Sequence, residues 1–83
     1  MNIYVGNLDF KVDENDLKSI FKEYGTVTDA KIITDKYSGR SKGFGFVTIE
    51  DNSEAEKAIN ELNGSTLENR AIIVNEARPR KQY

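Results

Sequence analysis

The sequence predicts an α+β domain of β-α-β-β-α-β order, with two helices on one face of a four-stranded antiparallel sheet. Three observations predict it. Four short stretches alternate apolar and other residues with the period of a strand. Two stretches carry apolar residues at i, i+3, i+4 and i+7, the stripe of an amphipathic helix. The chain has 83 residues, enough for one domain of two layers around a single core and too few to cover both faces of a sheet.

Residues 2–8 read as the first strand, with Ile3 and Val5 facing one way and Tyr4 the other. A helix follows. Asp13 suits its N-cap, Glu14 and Asp16 suit the first turn, and Val12 is placed to staple onto Leu17. Leu17, Ile20, Phe21 and Tyr24 form the apolar stripe, and Gly25 is expected to end the helix as a left-handed cap.

Residues 26–34 are rich in β-branched types and read as the second strand, with Ala30 and Ile32 inward and Lys31 and Ile33 outward. Val27 is out of phase with that pair, which implies a bulge or a late start. Residues 36–41 form a polar loop. The third strand covers 42–49: Lys42, Phe44, Phe46 and Thr48 share one face, and Gly43, Gly45, Val47 and Ile49 the other. The glycines are expected to keep the inner side flat where a helix presses on it.

Ser53 and Glu56 suit a capping box for the second helix. Its stripe is Ala55, Ala58, Ile59 and Leu62, and Asn63-Gly64 ends it. Residues 71–77 make the fourth strand, with Ile72 and Val74 inward and Ile73 and Asn75 outward, and Pro79 stops it.

This order is a split βαβ arrangement, the ferredoxin-like sandwich. Right-handed crossovers put both helices on the same face. Tyr4, Ile33, Phe44, Phe46, Ile73 and Asn75 are then left on the open face, and most acids lie on the helices behind.

Composition narrows the chemistry. The chain has no Cys and no His, which removes disulfides, thiolate nucleophiles, imidazole bases and the usual zinc ligands, so no metal or cofactor is expected. No apolar run approaches a membrane span and the N-terminus lacks a signal-peptide pattern, so a cytoplasmic protein without membrane contact is expected. The net charge is −2, against the basic balance common in nucleic-acid binders, but it is segregated. Residues 36–42 hold Lys36, Arg40 and Lys42 with no acid; residues 77–83 hold Arg78, Arg80 and Lys81 with no acid.

Planar rings on an open sheet beside a cation form a surface on which nucleobases stack. The helix carboxylates are the wet face of amphipathic helices, so an enzyme is not expected. Gly43-Phe44-Gly45 is not a phosphate-cradling loop, because no third glycine follows at the required spacing and no helix follows directly. Asn7 is expected to bond the local backbone, and outward-facing Asn75 a base.

Residues 42–49, Lys-Gly-Phe-Gly-Phe-Val-Thr-Ile, resemble the octamer of the RNA-recognition motif, and residues 3–8, Ile-Tyr-Val-Gly-Asn-Leu, resemble its hexamer. Only Ile49 departs from the octamer, where an aromatic is usual, and it faces the core. The resemblance covers nearly the whole chain: residues 1–78 as the domain and 79–83 as a short basic tail. The start at Met1 and the short tail are similar to small single-domain bacterial RNA-binding proteins. The resemblance implies that Tyr4 and Phe44 stack on neighbouring bases, Phe46 packs on sugars, Lys42 meets a phosphate and the end of strand four reads base edges.

The expected RNA contacts are therefore Tyr4, Phe44, Phe46, Lys42, Arg40, Asn75, Arg78, Asn2, Lys36 and Arg80. The expected partner is single-stranded RNA, with single-stranded DNA as a nested alternative, bound by a monomer with modest sequence specificity. A peptide-binding module using the same face and a non-specific RNA chaperone are the other readings.

Overall fold

The computed structural model describes residues 1–34, 37–39 and 41–77, with main chain only at 41 and 42. Its elements are β1 (Asn2–Gly6), α1 (Glu14–Lys22), β2 (Val27–Thr34), β3 (Ser41–Ile49), α2 (Asn52–Leu62), β4 (Thr66–Leu67), β5 (Arg70–Ala71) and β6 (Ile73–Glu76). The main sheet has the order β2-β3-β1-β6 with every pairing antiparallel. The ferredoxin-like α+β sandwich follows from the sequence pattern as expected.

One core sits between the sheet and both helices. Ile3, Val5, Ala30, Val47, Ile49 and Val74 from the strands, with Ile72 between β5 and β6, meet Leu17, Phe21, Ala55, Ala58 and Leu62 from the helices. Ile32, Ile20, Tyr24 and Ile59 pack half-buried at its rim. Since both helix stripes enter one cluster, both helices cover the same face.

Two features set the sheet's register. Pairing shifts between Val27 and Asp29, the bulge that the phase of Val27 implied. A second shift lies between Ile32 and Thr34, where β3 carries two extra residues. Gly43 lies in that segment at φ 87°, a left-handed conformation that side chains resist, and its carbonyl accepts from the Leu8 N–H at 2.8 Å.

Several local expectations need correction. Asp13 does cap α1, and the Asp13–Asp16 box is reciprocal, at 2.9 and 3.1 Å. Gly25, however, is not left-handed: α1 closes by a tightened turn in which Tyr24 and Gly25 N–H groups both reach the Phe21 carbonyl. Glycine is needed there because a Cβ would overlap the Glu54 side chain, which crosses from α2 to accept from the Thr26 N–H at 3.3 Å. The cap of α2 is Asp51 rather than Ser53, its carboxylate accepting from Glu54 N–H at 3.0 Å.

Gly45 makes room for a strand, not a helix. A Cβ on it would collide with the Lys31 carbonyl of β2. The β4–β5 hairpin between α2 and β6 was not foreseen; its turn holds Glu68 and Asn69 at φ 51° and 67°.

The outer edge of β6 is closed by the chain leaving α2. Asn63 Oδ1 accepts from Val74 N–H at 3.0 Å, and Ile72 exchanges bonds with Gly64 and Ser65. The sheet's free surface is its open face.

Candidate functional site

Alternation puts Tyr4, Phe44 and Phe46 on the face away from the core, and cross-strand register brings them together. Each ring is half-exposed. The Tyr4 ring centroid lies 5.9 Å from Phe44 and 5.9 Å from Phe46, and Phe44 lies 6.2 Å from Phe46. The rings share a face but not a plane. Tyr4 and Phe44 are tilted by 33°, whereas Phe46 stands at 89° to Phe44. Two rings are thus similarly inclined and the third stands steeply to both, the three centroids forming a near-equilateral triangle.

Direct pairing extends this cluster into rows. Asn75, Tyr4, Phe46 and Lys31 oppose one another across β6, β1, β3 and β2. A polar row lies beside it, with Thr48 between Asn2 on β1 and Asp29 on β2. The Thr48 hydroxyl donates to Asn2 Oδ1 at 2.9 Å. Ile73, 46% exposed, continues the face on β6.

Of the ten residues expected to contact RNA, five have described side chains on this face: Tyr4, Phe44, Phe46, Asn75 and Asn2. Lys42 has its main chain in β3. Lys36, Arg40, Arg78 and Arg80 lie outside the described residues.

The candidate residues left out Lys31, Asp29, Thr48 and Gly6. Strand alternation already put Lys31 outward; its place beside Phe46 needed the register. Gly6 matters because it is bare: a Cβ there would stand 2.5 Å from the Tyr4 hydroxyl and 2.8 Å from a ring carbon. Asn7 serves the fold. It donates to the Ala71 carbonyl at 2.7 Å and accepts from Arg70 at 3.2 Å, so it bonds the main chain of a strand distant in sequence rather than the local backbone expected.

The two clefts beside α1 lie elsewhere. One, about 650 Å³, is lined by Lys18, Lys22, Tyr24 and Glu54; the other, about 420 Å³, by Phe10, Asp13 and Ile32. Among the described residues no group of acids could hold a metal ion, and no helix is long and apolar enough to cross a membrane.

Residues 3–73 match the family described as RNA recognition motif. The chain is similar to the chloroplastic 29 kDa ribonucleoprotein of Arabidopsis thaliana, 53% identical over 84 positions that cover 98% of this chain and 25% of that protein. It is 45% identical to RbpE of Nostoc sp. over 82 positions, covering 99% of this chain and 83% of RbpE. Among solved structures, RNA Binding Protein PG1 aligns with a TM-score of 0.93 at 50% identity, covering 99% of both chains. The chain spans about a quarter of the chloroplast ribonucleoprotein and most of RbpE.

Proposed function

The chain belongs to the RNA recognition motif family, and from that premise we propose that it is a single-stranded RNA-binding module whose bases stack on the open sheet face. One observation carries the reading: three rings packed 5.9–6.2 Å apart on the face that neither helix covers. Left in water, such a patch is a cost that a ligand with flat apolar faces removes.

In this reading Tyr4 and Phe44, inclined alike, each take one base. Phe46 stands edge-on and meets the sugars between them. Asn75 and Asn2 offer amides to base edges at the two sides. Lys42, Lys36, Arg40, Arg78 and Arg80 neutralise phosphates, and Lys31 joins them from β2. The role is binding rather than catalysis, by a monomer, with specificity over few nucleotides because one sheet holds few bases. Stacking does not need the 2′-hydroxyl, so single-stranded DNA is a nested alternative ligand of the same face. A cytoplasmic location is part of the proposal.

Titrating the labelled chain with short single-stranded RNA, read by amide NMR shifts, tests it. Shifts should gather on Tyr4, Phe44, Phe46, Lys31 and Asn75. Shifts confined to α1 and α2 would end the reading.

A further inference from the structure

We infer that the Asn2–Thr48–Asp29 row reads guanine by its Watson–Crick edge. The inference rests on the RNA-binding reading above and names the base that the polar row selects.

The three side chains lie side by side across β1, β3 and β2, because Thr48 pairs with Asn2 on one side and with Asp29 on the other. The hydrogen bond within the row fixes what each presents. The Thr48 hydroxyl spends its proton on Asn2 Oδ1 at 2.9 Å. That leaves the Asn2 amide NH₂ as a donor and the Thr48 oxygen as an acceptor. Asp29 is exposed, and its carboxylate is bonded to no described residue. From β1 to β2 the row therefore reads donor, acceptor, acceptor.

Guanine is the base that complements this order. Its O6 accepts, its N1–H donates and its N2 amino group donates. Uracil matches at two positions but turns its O2 lone pairs on the Asp29 carboxylate. Adenine has one donor and an acceptor where a second donor is needed. Cytosine offers two acceptors and one donor in either orientation.

The charge of Asp29 points the same way. A carboxylate on a surface that takes a polyanion repels phosphate, so its place there is favourable only against donors such as N1–H and N2–H of a base.

The test uses fluorescence anisotropy with uridine octamers carrying one central guanine, the same octamer with inosine, which lacks the N2 amino group, and plain uridine. The wild-type chain should bind the guanine octamer about tenfold tighter than the inosine octamer, the worth of a good base-edge contact. Asp29→Ala, which leaves no acceptor at that place, should bring that ratio near one while plain uridine binds as well as before or better. Equal binding of guanine and inosine by the wild type, or an unchanged ratio in Asp29→Ala, overturns the inference and leaves RNA binding standing. If no octamer binds, or Phe44→Ala binds all three normally, the parent reading falls and this one with it.

Discussion

The Tyr4 ring lies over Gly6, two residues further along the same face of β1. A Cβ on Gly6 would sit 2.5 Å from the phenol oxygen and within 2.9 Å of two ring carbons. Glycine is thus what lets the ring recline on the strand with a face turned outward. Gly6 has no left-handed backbone angle, so alanine meets no main-chain strain there. Gly6→Ala should keep the fold but force Tyr4 up from the strand. RNA affinity should fall by about 1–3 kcal/mol, the worth of one base–aromatic stack, with the melting temperature little changed. Isothermal titration beside a thermal melt checks both; undiminished affinity would mean that the ring position does not matter to binding.

Phe44 and Val47 stand on opposite faces of β3 and should fail in opposite ways. Phe44→Ala removes a half-exposed ring, so it should weaken RNA binding by about 1–3 kcal/mol. Its stability cost should stay near 1 kcal/mol, the scale of the lost ring contacts. Val47 is fully buried, and Val47→Ala should destabilise by about 2 kcal/mol through the cavity it leaves, lowering the melting temperature by roughly 10 °C. Binding of the folded fraction should be unaffected. A Phe44→Ala chain that melts as early as Val47→Ala would put the ring in the core.

The cap of α2 offers a stability test unconnected to binding. Asp51→Ala removes the carboxylate that accepts from Glu54 N–H at 3.0 Å and should cost about 1 kcal/mol. Ser53→Ala alters an exposed residue inside the helix and should cost at most a few tenths. Chemical denaturation of the two variants ranks them; the reverse order would move the cap to Ser53.

These assignments mark where the sequence stops being legible. Alternation was enough to put Tyr4, Phe44, Phe46 and Asn75 on one face, because period-two side chains follow from the strand itself. Which residues stand opposite each other was not readable. The bulge at Thr28 and the extra residues around Gly43 bracket a stretch of β2 and β3 with a register of its own, and that register sets Lys31 beside Phe46 and Asp29 beside Thr48. The α2 cap was misplaced because Asp51 and Ser53 both suit an N-cap and each has a glutamate three residues on, Glu54 and Glu56. The β4–β5 hairpin escaped notice because its turn puts Glu68, a residue without turn preference, at a positive φ. Gly25 and Gly45 looked like a helix cap and a flat floor; each instead answers to a neighbour distant in sequence.

Charge on the open face should show itself in salt dependence. For single strands log K falls with log salt by about 0.7 per phosphate neutralised, so about three of the basic residues meeting phosphate at one time give a slope near −2. Lys31 stands on the binding face opposite Phe46, whereas Lys57 lies exposed on α2 behind the sheet. Lys31→Gln and Lys57→Gln change the net charge equally. If binding followed net charge, both would weaken it alike. Contact through the sheet predicts otherwise: Lys31→Gln should flatten the slope by about 0.7, and Lys57→Gln should leave it unchanged at physiological salt, where the Debye length is about 8 Å. Titrations at three or four salt concentrations decide it, and equal slopes for the two variants would detach the ligand from this face.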